Sequence, residues 1–145
     1  MPRLLLLNHI VLLLCCSIFL GIGVSLLAFQ LPFQPQLTVE HVFTAMTIVM
    51  LICGLVMLAT EWLSGLRWVP VVVLVAVILA TALALLAITP LNDRLAAGIS
   101  DPAELTTALH EWAQLVRIRF ALWIIEWVAM AYWFYRLAYL ARVDR

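Results

Sequence analysis

The stretch 101–142, DPAELTTALHEWAQLVRIRFALWIIEWVAMAYWFYRLAYLAR, reads as one unbroken helix. It opens on Asp101-Pro102-Ala103-Glu104, a capping box with proline at the first helical position, and meets no breaker before Arg142. At about 1.5 Å per residue, some 40 residues reach about 60 Å, roughly twice the hydrocarbon thickness of a bilayer. Its first turns therefore stand outside any apolar slab that the remainder crosses. A step of about 100° per residue puts Trp112, Leu115, Arg119, Trp123, Glu126, Met130 and Trp133 on one stripe. His110, Arg117, Val128 and Tyr135 fall on the opposite face. Glu126 lies mid-span, where an ionisable side chain must avoid lipid, so its stripe is expected to face the interior. Arg119 then points inward, while Arg117 snorkels to the headgroups.

Outward from this helix, three more apolar runs are long enough to span. With it they give expected helices over about 4–29, 42–64, 69–89 and 102–141. Apolar residues make up 67% of the 145-residue chain and charged residues 11%, against roughly one-half and one-quarter in ordinary soluble domains. Mean hydropathy is +1.16. A soluble fold of this size has too little interior to hide that much apolar surface. The expectation is a single all-α membrane domain over 1–145, a four-transmembrane-helix bundle with a long fourth helix extending beyond the bilayer. Formal net charge is zero and every basic residue is arginine, without a basic tract for nucleic acid. The N-terminal run exceeds a signal-peptide core and no small-x-small site follows at the right distance, so an uncleaved first span is expected.

Gln30 to Glu40 with Pro32 and Pro35, the Ser64-Gly65 turn, and Pro90 to Asp101 read as the connections. Arg3, Arg67, Arg136, Arg142 and Arg145 gather at one set of ends. The opposite loops hold Arg94 against Glu40, Asp93, Asp101 and Glu104. The positive-inside rule places both termini in the cytoplasm. Small-residue ladders at Ser17/Gly21/Ser25 and Ala76/Ala80/Ala84 are expected to let helices approach closely.

Other polar and sulfur groups offer weaker readings. His9 and Glu61 lie near the cytoplasmic ends of their helices, where they pair as a proton relay or are simply wet. Met46, Met50, Cys53 and Met57 share one sector of the second helix, which suits either a Cu(I) path or core filling. Cys15-Cys16 lacks dithiol spacing, so the thiols read as inert. His41 and His110, beside Glu40 and Glu111, sit near the outer face, but their merely adjacent spacing defines no metal site. No metal is assigned, and the sequence identifies no cofactor.

Pro90-Leu91-Asn92, Arg94-Leu95-Ala96-Ala97, and Trp112 followed seven residues later by Arg119 resemble the anthrone-oxygenase-like family of small integral membrane proteins. The likeness is specific in the second half of the chain and a matter of layout in the first. It implies a four-helix bundle and a bacterial inner-membrane location. Val116 stands where that family often has asparagine or histidine, a departure that removes one polar group from any oxygenase chemistry.

Together these readings gather Asn92, Trp112 and Arg119 at the non-cytoplasmic mouth, with Trp123 and Glu126 on the same stripe. Aromatic walls, a guanidinium and an amide suit a flat, weakly acidic ligand such as a phenol or quinone, or a lipid. The bland alternative has Asn92 and Arg119 merely finishing the end of the third helix. Two further functions stay open. One is a membrane oxygenase in which Arg119 holds an enolate or phenolate oxygen and Glu126 or a histidine moves the proton. The other is a non-catalytic subunit packing against a membrane partner through Trp127, Tyr132, Phe134 and Tyr135 of the fourth helix.

Overall fold

A computed structural model describes the backbone over residues 3–29 and 37–143, with side chains over 3–25 and 43–139. The connection with Pro32 and Pro35, the side chains of Glu40, His41 and Arg142, and Arg145 lie outside the described residues. Every element described is helical: α1 (Arg3–Phe29), α2 (Leu37–Glu61), α3 (Trp68–Ala97) and α4 (Pro102–Val143). α4 packs on α1 and α3, and α2 packs on the same two from the other side, so the helices close a ring in chain order.

The ends of the elements follow from local chemistry. The Ala103 N–H donates to Asp101 Oδ1 (3.0 Å) and the Leu105 N–H to the Asp101 carbonyl (3.0 Å), making Asp101 the cap of α4. Glu104 does not complete the expected box. It pairs with Arg94 at 3.0 Å instead, fastening the end of α3 to the start of α4. At the α2–α3 turn the Ser64 hydroxyl donates to Glu61 Oε2 (2.5 Å) and accepts from the Leu66 N–H (3.1 Å).

α3 does not stop near residue 89 as the sequence suggests; it runs through Pro90 to Ala97. Proline has no N–H and its ring crowds the carbonyl four residues back. The helix accommodates it by widening into a π turn over Ala84–Ile88, where the Thr89 N–H reaches the Ala84 carbonyl. The Thr89 hydroxyl donates to that same oxygen at 3.0 Å. Gly98, at φ 86°, then ends the helix in a conformation that side-chain-bearing residues rarely adopt.

The core comprises Leu12, Cys16 and Phe19 from α1, Met50 and Met57 from α2, Val69, Val73, Val77 and Ala80 from α3, and Trp123, Met130 and Trp133 from α4. Met50, Met57 and Met130 are fully buried, so the sulfur stripe of α2 is packed into the core. Ala76 and Ala80 also face inward. Of the α1 ladder, Ser17 accepts from the Trp127 Nε1–H of α4 at 3.2 Å, but a Cβ at Gly21 would meet nothing, so the ladder is not the point of close approach. The close approaches are at Gly23, where a Cβ would collide with Phe120 and come within 2.9 Å of Trp123, and at Gly54, 2.7 Å from Leu74. α1 is apolar on every side, so nothing in its sequence distinguishes Gly21 from Gly23 as the seam.

Among the described residues, three segments are long and apolar enough to cross a membrane: Arg3–Ser25, Phe43–Glu61 and Trp68–Ala97. α4 is not among them. Arg117, Arg119, Glu126 and Arg136, with its tryptophans and tyrosines, dilute an otherwise apolar helix. Leu14, Ile18, Ile52, Leu55, Ile78 and Leu86 are exposed, giving the bundle the apolar exterior of a protein solvated by lipid.

Candidate functional site

The interior stripe of α4 carries two polar stations. At the upper one, Glu126 is fully buried and neither carboxylate oxygen has a hydrogen-bond partner among the described residues. One guanidinium shares its surroundings. The Arg119 Cζ lies 4.8 Å from the Trp123 ring centroid and 5.5 Å from that of Phe43, and its buried Nε is also without a partner. Arg117, two residues earlier, is exposed.

Phe19, Phe43 and Trp123 lie nearly parallel beside this group, with centroids 5.4 to 6.5 Å apart and interplanar angles of 8° to 15°. A guanidinium on the faces of such rings gains about 0.5–2 kcal/mol per contact, depending on desolvation. That stabilises the cation without using its N–H groups. The hydrogen-bonding capacity of Arg119 and Glu126 is therefore largely unspent.

Both side chains line one internal cavity with Phe19, Thr47, Met50, Thr81 and Trp123. Its water-accessible volume is about 10 Å³, close to the lower limit for a single water. The Thr47 hydroxyl donates to the Phe43 carbonyl (2.9 Å) and that of Thr81 to the Val77 carbonyl (2.7 Å). Each threonine oxygen therefore offers the cavity only lone pairs. The chamber holds one strong donor, Arg119, and several acceptors.

Asn92 and Trp112 meet, but elsewhere. The Trp112 Nε1–H donates to Asn92 Oδ1 at 2.9 Å, tying the end of α3 to α4. Neither residue lines the cavity of Arg119, Trp123 and Glu126. The five residues singled out in the sequence thus fall into two groups, a clasp near the α3–α4 connection and a deeper chamber. Phe19, Phe43, Thr47 and Thr81 escaped the sequence reading because they come from helices whose apolar surfaces have no distinct face.

The lower station surrounds His9, which is fully buried and stacked on Trp133 with centroids 4.3 Å apart and an 18° interplanar angle. Its Nδ1–H donates to the Leu5 carbonyl, leaving Nε2 buried and unpartnered, like Trp133 Nε1 and Arg136 Nε. His9 and Glu61 are not hydrogen-bonded, since the partner of Glu61 is Ser64. His110 lies near Gln114 at 3.1 Å. Cys15, Cys16 and Cys53 are free and buried, and no cluster of three His, Cys, Asp or Glu residues that could hold a metal occurs among the described residues. Trp127, Tyr132 and Tyr135 are exposed, but Phe134 turns inward against Trp133, interrupting the aromatic face offered for a partner. No family model, curated protein or solved structure matches the chain.

Proposed function

We propose that the chain crosses a bacterial inner membrane four times, with both termini cytoplasmic and the first turns of α4 outside the bilayer. Its chamber between Arg119 and Glu126 binds the head of a hydroxylated aromatic small molecule, a phenol or a quinol, entering from the non-cytoplasmic mouth. The observation that supports this reading is the shared cavity. Arg119 and Glu126 both face it with unspent hydrogen-bonding atoms, beside three parallel rings. A phenolic O–H donates to the carboxylate while its oxygen accepts from the guanidinium, so one ligand group answers both. The aromatic body then lies against Phe43 and Trp123. With room for only about one water, the chamber must open before a ring can enter.

Titration of the detergent-purified protein with hydroquinone, followed by tryptophan fluorescence, tests the reading. Saturable quenching in the wild type that is lost in Arg119→Ala is expected. Equal quenching in both proteins would refute it.

Glu126 and Arg119 facing one cavity also favours a second, catalytic reading of anthrone-oxygenase type. An anthrone gives a proton to Glu126, its oxyanion rests on Arg119, and dioxygen is the oxidant, yielding the quinone and water. Anthrone-dependent oxygen uptake, abolished in Glu126→Gln, tests that step.

A further inference from the structure

At the end of the bundle away from the α3–α4 connection, the α2–α3 turn opens a groove of about 320 Å³ lined by Trp62, Arg67, Trp68 and Val71. It lies where two membrane-crossing segments meet, one ending at Glu61 and the next beginning at Trp68. Tryptophan and arginine are the residues that settle at the headgroup level. Trp62, Arg67 and Trp68 are all exposed, while Tyr132 of α4 braces Trp68 at 5.3 Å between ring centroids.

Arg67 forms no ion pair among the described residues. The sole ion pair among the described residues is Arg94–Glu104, and the nearby carboxylate of Glu61 already accepts from Ser64. A guanidinium flanked by two indoles calls for an anion with an apolar body. The structure supplies a track for that body. From Val71, the exposed residues Val75, Ile78 and Leu79 continue along one face of α3, away from the groove. Eight residues of helix rise about 12 Å, close to the depth of one leaflet, roughly half of a 30 Å hydrocarbon core.

We propose that this groove is a binding site for one anionic phospholipid of the cytoplasmic leaflet, its phosphate on Arg67 and an acyl chain along the exposed face of α3. The site rests on the topology proposed above but not on the Arg119 chamber, with which it shares no lining residue. A tailless phosphate would meet the same guanidinium but leave the apolar track unused. A zwitterionic lipid would bring its ammonium towards Arg67.

The test reconstitutes the full chain into vesicles of phosphatidylcholine mixed equally with phosphatidylglycerol. Extraction into mild detergent and native mass spectrometry then identify the lipid retained. The wild type is expected to keep one phosphatidylglycerol, with a bound glycerol-to-choline lipid ratio about fivefold above that of Arg67→Gln. That factor corresponds to about 1 kcal/mol for one basic residue near an anionic surface. Arg67→Lys should recover part of the preference, and Arg67→Gln should keep the helical circular-dichroism spectrum and unfolding midpoint of the wild type, showing that the fold is intact. Inorganic phosphate in the extraction buffer should not displace the lipid. Equal ratios in wild type and Arg67→Gln would overturn the proposal, as would displacement by phosphate. A chain that fails to float with the vesicles would remove the membrane premise and this site with it, whereas flotation without lipid preference refutes this site alone.

Discussion

Removing Arg119 perturbs the bundle in a way that removing Arg117 does not, although the two are neighbours in sequence. Arg119→Ala takes away the cation nearest a carboxylate that is fully buried and has no hydrogen-bond partner among the described residues. It also strips the rings of Phe43 and Trp123 of the guanidinium lying on them. Arg119 and Glu126 are not in direct ion-pair contact, so the main loss is that of the two ring contacts, about 0.5–2 kcal/mol each, and a total of about 2 kcal/mol is expected. Arg117 is exposed, and its removal should cost about 1 kcal/mol or less. The carboxylate share can be isolated with Glu126→Gln, which keeps size and removes charge. If Arg119 and Glu126 act together across their cavity, the double variant should be about 1–3 kcal/mol less damaged than the sum of the singles. Equilibrium unfolding in mixed micelles of mild detergent and dodecyl sulfate gives the cycle. A coupling within about 0.5 kcal/mol of zero, or an Arg117→Ala loss equal to that of Arg119→Ala, would refute the reasoning.

Three other outcomes are expected. Gly23→Ala places a methyl against Phe120 and Trp123, so it should destabilise by about 1–3 kcal/mol and weaken hydroquinone quenching, whereas Gly21→Ala, which meets open space, should do neither. Met50→Leu and Met57→Leu should each cost less than about 1.5 kcal/mol, as volume-conserving changes in a packed core do, and stoichiometric copper lost in the double variant would contradict that role. With the native cysteines buried, Ser100→Cys should react with an impermeant thiol reagent from outside intact cells and Gly65→Cys only after lysis; the reverse pattern would invert the topology.

Legible in the sequence are the features set by local chemistry or by one helix with two different faces. Asp101 caps α4 because a short acid before proline can satisfy the first free N–H groups, and that is visible in four residues. The inward turn of Arg119 follows from its spacing to Glu126 on a helix that mixes charge with apolar surface. α1 and α2 carry little such contrast, so neither the seam at Gly23 nor the cavity walls at Phe19 and Thr47 could be read from them. Pro90 was misleading for a different reason. Proline normally ends a helix, and its effect here depends on a π turn whose residues, Ala84–Ile88, look like any apolar helix. The break between the Asn92–Trp112 clasp and the deeper chamber is likewise tertiary: it depends on how far α3 continues before turning.

Arg119 and Glu126 are proposed to hold the hydroxylated head of an aromatic molecule within the bundle. Native mass spectrometry of the detergent extract, after incubation of wild type and Arg119→Ala with hydroquinone, measures this most directly. One hydroquinone retained per wild-type chain and none on the variant is the expected result. A wild-type chain that retains none, or a variant that retains as much, would contradict it.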